Sequence, residues 1–186
     1  MSTAPSPLPF EGARLIVVMG VSSSGKSTVG QALARRLHAP FLEGDKYHPE
    51  ANIEKMSAGI PLTDADRWPW LESLAQAMHE AGERKGVAVS ACSALKRSYR
   101  DFMTEKAGES ILFVYLEGSK ELIAGRMQHR AHHFMPLSLL DSQFATLEPP
   151  AADENALPVP VDEAIEKSVD MVVKALPYLK SFKRKQ

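Results

Sequence analysis

Cysteine is almost missing from this chain. Cys92 is the only one in 186 residues, which excludes an intramolecular disulfide framework and fits a reducing compartment. No stretch reaches the 18 or so consecutive apolar residues that a membrane-crossing helix requires. Positive charge is not in excess either. The 22 Lys and Arg stand against 23 Asp and Glu, for a net charge of -1, a balance that speaks against a dedicated nucleic-acid or acidic-membrane binder. Met1–Pro9 holds three prolines and no basic segment followed by an apolar run, so it does not read as a secretory signal. Internal repeats and an interdomain linker are absent as well. The remainder, 44% hydrophobic and 24% charged, has the composition of a globular protein. The expectation is a disordered leader over residues 1–12 and a single cytoplasmic domain over 13–180. Residues 181–186 then form a basic tail. The four basic residues of Lys180–Gln186 read more readily as a solvated helix end than as a nucleic-acid patch.

Apolar runs alternate with segments of helical period. Leu15-Ile16-Val17-Val18-Met19 is a short continuous run, as expected of a strand buried on both faces. Val29, Leu33 and Leu37 then recur at four-residue spacing, which predicts a helix from about Lys26 to His38. Phe41-Leu42 begins a second strand. Pro49 suits a first helical turn, so a helix is expected over about 49–58. Leu71, Leu74, Ala75 and Met78 predict another between Pro69 and Lys85. Val87–Ala91 and Ile111–Leu116 read as buried strands, with a helix over about 96–106 between them. Residues 148–160 are proline-rich and read as a surface loop, within which Leu157-Pro158-Val159 is a weak fifth strand. Ile165, Val169, Val172, Val173 and Leu176 share one face of a last helix. Strands separated by helices of this length imply βαβ units, hence a mostly parallel sheet with helices on both faces.

One segment carries a chemical meaning of its own. Gly20-Val21-Ser22-Ser23-Ser24-Gly25-Lys26-Ser27 matches G-x-x-x-x-G-K-[ST], and it stands between a predicted strand and a predicted helix. A ring of backbone N–H groups at a helix N-terminus attracts polyphosphate, because that end carries roughly half a unit of positive charge. Glycines let the chain curl without Cβ clashes. Lys26 brings a full charge to the β- and γ-phosphates, Ser27 offers a hydroxyl to Mg²⁺, and Thr28 closes the loop. The chain lacks an N-K-x-D segment for guanine and an evident apolar run ending in Asp. Its shortness favours a small-metabolite or nucleotide kinase over a motor ATPase. A kinase acting on an alcohol needs a group to orient the hydroxyl and accept its proton. Asp45, at the end of the second strand beside the phosphate loop, is the candidate, with Glu43 nearer the metal or its waters.

Further segments carry longer motifs. Gly44-Asp45-Lys46-Tyr47-His48-Pro49 with Asn52-Ile53-Glu54-Lys55-Met56 is similar to G-D-x-x-H-P…N-I-x-K-M. Gly59–Leu71 resembles G-x-P-L-x-D-x-D-R-x-P-W-L, and Cys92–Asp101 resembles C-S-A-L-K-x-x-Y-R-D. His133-Phe134-Met135 and Ser142–Glu148 complete a resemblance to the gluconokinase family running from about Leu15 to about Val173. One position departs from it. The family's phosphate loop commonly reads G-V-S-G-S-G-K-S, and Ser23 replaces the middle glycine, so a strained backbone is expected there with nucleotide binding retained.

The resemblance implies a P-loop NTPase-type three-layer α/β fold, with a five-stranded sheet and a helical lid over about 122–147. It also implies ATP with Mg²⁺ as cofactors, D-gluconate as acceptor, 6-phosphogluconate as product, and a homodimer. Gluconate carries one carboxylate, which a guanidinium binds bidentately. Arg67 is the first candidate and Lys96 the second, with Arg97 nearby. Asp45, His48 and Asn52 are placed to read hydroxyls. Trp68 and Trp70 either wall the sugar or pack as anchors. Arg126 and Arg130, one turn apart in the lid, are expected to reach the phosphates, Arg130 as a catalytic group. His129, His132 and His133 have metal-like spacing but lack a completing ligand. Cys92 reads as a small core residue. Shikimate kinase, a non-catalytic nucleotide-binding regulator and a GTP-dependent switch are the alternatives.

Overall fold

The computed structural model describes residues 13–129 and 137–179. The fold is a three-layer α/β sandwich. Its strands are β1 (Leu15–Met19), β2 (Phe41–Glu43), β3 (Ala88–Ala91), β4 (Ile111–Glu117) and β5 (Ala156–Pro160). They lie in the order β2-β3-β1-β4-β5, and every adjacent pair is parallel. The central strand β1 pairs Leu15 with Ala88 on one edge and with Ile111 on the other. Its five residues are all 0% exposed, which is why their sequence shows no polar alternation. The pleat still sorts them. Ile16 and Val18 enter a core with Val29, Leu33 and Leu37 of α1 (Lys26–Leu37) and with Val169, Val172 and Leu176 of α7 (Ile165–Leu179). Leu15, Val17 and Met19 face a second core with Leu71, Leu74 and Met78 of α3 (Asp64–Lys85) and Tyr99 and Met103 of α4 (Arg97–Ala107).

The remaining helices are α2 (Glu50–Ser57), α5 (Lys120–Gln128) and α6 (Leu137–Thr146), and a 3-10 turn spans Gly44–Tyr47. Most expected boundaries agree to within a residue or two, but α3 does not. It begins five residues before Pro69, because Thr63 and Asp66 form a reciprocal cap. The Thr63 hydroxyl accepts from the Asp66 amide at 3.2 Å, and Asp66 accepts from the Thr63 amide at 2.8 Å. A cap of this kind stabilises a helix by about 1 kcal/mol. Pro69 therefore lies inside the helix, where its missing N–H leaves one early turn without its bond. The Asp-Arg-Trp-Pro-Trp segment is therefore helical throughout. Pro49 occupies the N-cap position of α2, just outside the first turn, and makes no side-chain capping bond.

The stretch 148–160 is anchored more firmly than a surface loop. Arg100, 1% exposed, donates to both carboxylate oxygens of Glu154 at 2.7 and 3.0 Å and to the carbonyls of Ala94, Leu95 and Glu148. Five donors of one guanidinium thus close the loop onto the end of the sheet. Just before β1 and β4, Arg14 bridges Glu83 and Glu109, and His79 joins Glu109 at 2.7 Å. No described helix is long and apolar enough to cross a membrane.

Candidate active site

The carboxyl ends of β1, β2 and β3 open onto one crevice, the position where parallel sheets bind ligands. The chain leaves β1 through the loop Gly20–Gly25 and enters α1 at Lys26. Gly25 has φ 95°, and a Cβ on it would meet nothing within 4 Å, so the backbone faces open space there. Ser23 has φ 63°, the left-handed conformation that an L-residue adopts at roughly 1–2 kcal/mol. The strain expected from the Ser23 departure is present. Lys26 donates to the Val21 carbonyl at 2.9 Å, folding its ammonium back over the loop. The Ser27 hydroxyl donates to Glu43 Oε2 at 2.6 Å. A hydroxyl and a carboxylate oxygen in contact at the rim of the loop are the hard donors Mg²⁺ prefers. The buried Ser24 hydroxyl has no hydrogen-bond partner among the described residues. The donors therefore fit a Mg²⁺-polyphosphate.

Glu43 ends β2, and the 3-10 turn follows at once. Gly44 is required by proximity, since a Cβ there would stand 2.3 Å from the Ala91 carbonyl oxygen. This close approach brings Asp45, which is exposed, to the mouth of the crevice. The fully buried Cys92 thiol is pushed up to about 12 by burial, and it also feels the charges of Asp45, Lys26 and Glu43. Cys92 itself is the buried core residue the sequence suggested.

His48 continues the crevice away from the phosphate loop. Its ring stacks on Trp70 with centroids 4.0 Å apart, and Trp70 is fixed by donating its indole N–H to the Gly44 carbonyl at 2.8 Å. Trp70 is thus an anchor and not an exposed wall. The Asn52 amide, 2% exposed, donates to the Asp66 carbonyl at 2.9 Å and lies 3.1 Å from His48 Nδ1. Burial holds the His48 imidazole below its ordinary value, Asp45 opposes that shift, and Arg67 adds to it. A neutral ring with Nδ1 accepting from Asn52 satisfies all of these contacts.

At the far end Arg67 donates to the Tyr99 hydroxyl at 3.1 Å, and Lys96 lies 3.2 Å from Asp64. Tyr99 in turn donates to Asp64. The Tyr99 phenol is pushed up to about 12 by burial and by this bond. The Asp64 carboxyl is held below its usual range by Tyr99 first and Lys96 second. Of the sequence candidates, the fold therefore joins Gly20–Thr28, Asp45, His48, Asn52, Arg67 and Lys96 along one path. Arg97 stands apart, paired bidentately with Asp153 at 3.0 and 2.7 Å. Trp68 packs edge-on against Tyr99 and beside Phe102. Arg126, in α5, donates to the Val161 carbonyl. Arg130, His132 and His133 lie outside the described residues, and His129 is exposed.

Sequence reasoning missed Gln143. From α6 it accepts from the Ser22 amide at 2.6 Å and donates to the Ser22 hydroxyl at 2.8 Å. Two bonds from one side-chain amide thus tie α6 to the phosphate loop. Its place in the Ser142–Glu148 motif was the available signal, but spacing could not name a partner 121 residues away.

A phosphate loop on the central strand of a five-stranded parallel sheet, with a polar crevice beside it, defines a P-loop kinase. A family profile described as AAA domain matches residues 15–150. The thermosensitive gluconokinase of Escherichia coli is 49% identical over 138 residues, 74% of this chain and 73% of that protein. A gluconokinase of Gluconobacter oxydans is 49% identical over 165 residues, covering 88% of this chain and 89% of its own length. The crystal structure of a gluconokinase from Sinorhizobium meliloti superposes with a TM-score of 0.81 at 47% identity, covering 93% of this chain and 95% of that one. The chain belongs to the gluconokinase family.

Proposed function

We propose that the protein transfers the γ-phosphoryl group of ATP to the 6-hydroxyl of D-gluconate, giving ADP and 6-phosphogluconate. The observation that carries this reading is the polar path itself. A phosphate loop and the exposed carboxylate Asp45 stand at one end, and the cations Arg67 and Lys96 at the other, with His48 and Asn52 between. An open-chain acid with a carboxylate at one terminus and a primary hydroxyl at the other matches those two poles. Gluconokinase relatives of high identity support the same substrate.

Asp45 orients the hydroxyl and takes its proton as the new P–O bond forms. The loop amides and Lys26 hold the phosphates, and Arg67 and Lys96 hold the acid end, with His48 and Asn52 on the hydroxyls. Ser27, backed by Glu43, would hold Mg²⁺, which neutralises charge between the β- and γ-phosphates when bound. Arg126 and Arg130 are assigned to the phosphates, with Arg130 acting on the transferred group. A cytoplasmic homodimer with a single domain over 13–180 and a lid over about 122–147 completes the reading, with gluconate and no nucleic acid or membrane as partner.

A coupled ADP-release assay with Mg-ATP and D-gluconate, shikimate, D-glucose or no acceptor tests it. Turnover confined to gluconate is expected. Equal turnover with shikimate, or none with any acceptor in protein that binds ATP, would overturn the substrate.

A further inference from the structure

We infer that Asp64 is the counter-charge that tunes the acceptor site to a singly charged acid and rejects doubly charged ones. The inference rests on the reading that Arg67 and Lys96 receive the substrate carboxylate. Asp64 opens α3, yet the cap of that helix is made by Thr63 and Asp66, so capping does not explain it. Its carboxylate instead collects donors from three places. Tyr99 of α4 donates to Oδ1, Lys96 approaches both oxygens at 3.3 and 3.2 Å, and Arg67 stands 3.6 Å away. Arg67 and Lys96 each lie 5.6 Å from the Tyr99 ring centroid, so two like charges share one aromatic support.

The charge count follows from these contacts. Arg67 and Lys96 contribute two positive charges and Asp64 removes one. A further pair on the same side, Lys55 with Asp66, which adjoins Arg67 in the chain, is neutral in sum at 2.8 Å. The acid end of the crevice thus presents one net positive charge. A monoanionic sugar acid neutralises it, and a neutral polyol leaves it unanswered. An acid with two carboxylates at that end brings one negative charge too many, close to the Asp64 carboxylate. The Asp64 side chain is 47% exposed, so the hub is open to an incoming acid. Asp64 acts through the two cations and is a positioning and specificity-setting residue.

The test is Asp64→Asn, with Asp64→Ser as a second neutral variant and Asp64→Glu as the charge-preserving control. Tartronate, a dianion whose two carboxylates share one carbinol carbon and so both sit at the acid end, serves as competitive inhibitor against D-gluconate. Both neutral variants should lower the ratio of the tartronate Ki to the gluconate KM by about three- to tenfold, as expected for one solvent-screened charge. The tartronate Ki should become more salt-dependent, and Asp64→Glu should restore the wild-type ratio. An unchanged ratio in both neutral variants, while Arg67→Ala and Lys96→Ala raise the gluconate KM, would overturn the role of Asp64 alone. If Arg67→Ala and Lys96→Ala also leave that KM unchanged, the placement of the substrate carboxylate fails and the inference falls with it.

Discussion

The two ends of the crevice are built on different principles. The phosphate end is a backbone device. Its geometry lies in the dihedral angles of Ser23 and Gly25 and in a turn pinned between β1 and α1. The acceptor end is a side-chain device in which Asp64, Arg67, Lys96 and Tyr99 hold one another, and His48 leans on Trp70 and Asn52. A backbone site tolerates side-chain exchange at several positions. A side-chain network does not, because every member is another member's partner.

The sharpest way to separate the two ends is Asp45→Asn. Turnover should fall by roughly 10²–10⁴-fold while the ATP KM stays within about twofold, since the carboxylate serves the alcohol and not the nucleotide. Steady-state kinetics with each substrate varied will check this, and near-wild-type turnover would remove Asp45 from the role.

Next in size is the support behind the acceptor end. Arg100 and Glu154 are buried to side-chain exposures of 1% and 7%. Arg100→Ala strands the Glu154 carboxylate and three carbonyls, for an expected loss of about 3–5 kcal/mol in urea unfolding. A loss below about 1 kcal/mol would mean that the 148–154 segment is held by something else.

A smaller effect belongs to His48. Its folded imidazole is held below the ordinary value of 6.5, chiefly by burial, so the unfolded chain takes up a proton first as the solution is acidified. The stability this group contributes is complete above about pH 6.5 and is lost as pH falls through the depressed folded value. Unfolding measured at pH 7.5 and 5.5 should show a shallower decline for His48→Gln than for wild type.

The smallest effect lies at the phosphate end. Ser23→Gly removes a left-handed serine at roughly 1–2 kcal/mol but restores about 0.5–1 kcal/mol of unfolded-chain freedom. A net gain of about 0.5 kcal/mol, or about 1–2 °C in Tm, is expected.

The same contrast governs what could be read from the sequence. Leu15–Met19 and Gly20–Ser27 are contiguous, and local rules connect residues that are neighbours in the chain. The sheet, its helices and the donor half of the site were therefore legible. The start of α3 was misplaced because Pro69 outweighed the Thr63 and Asp66 signal, although the capping pair sat three residues apart in plain view. Gln143 with Ser22, Arg100 with Glu154 and Tyr99 with Asp64 are 121, 54 and 35 residues apart. No local pattern predicts those meetings. Asp64 and Gln143 appeared only as letters in a family motif until the fold supplied their partners.

The strand order has a bearing on how the protein comes into being. β1 precedes the other four strands, it is wholly apolar, and α1 and β2 follow it directly. Yet β2 is not its neighbour in the sheet. One edge of β1 waits for Ala88–Ala91 to be synthesised and the other for Ile111–Glu117. At ribosomal rates of roughly 5–20 residues per second, that interval lasts on the order of several seconds. Throughout it, Leu-Ile-Val-Val-Met is a bare, sticky segment of the kind that seeds intermolecular pairing. The strand that later carries the phosphate loop is therefore open at both edges while the chain is being made, and its shelter is complete only once Ile111–Glu117 has been added.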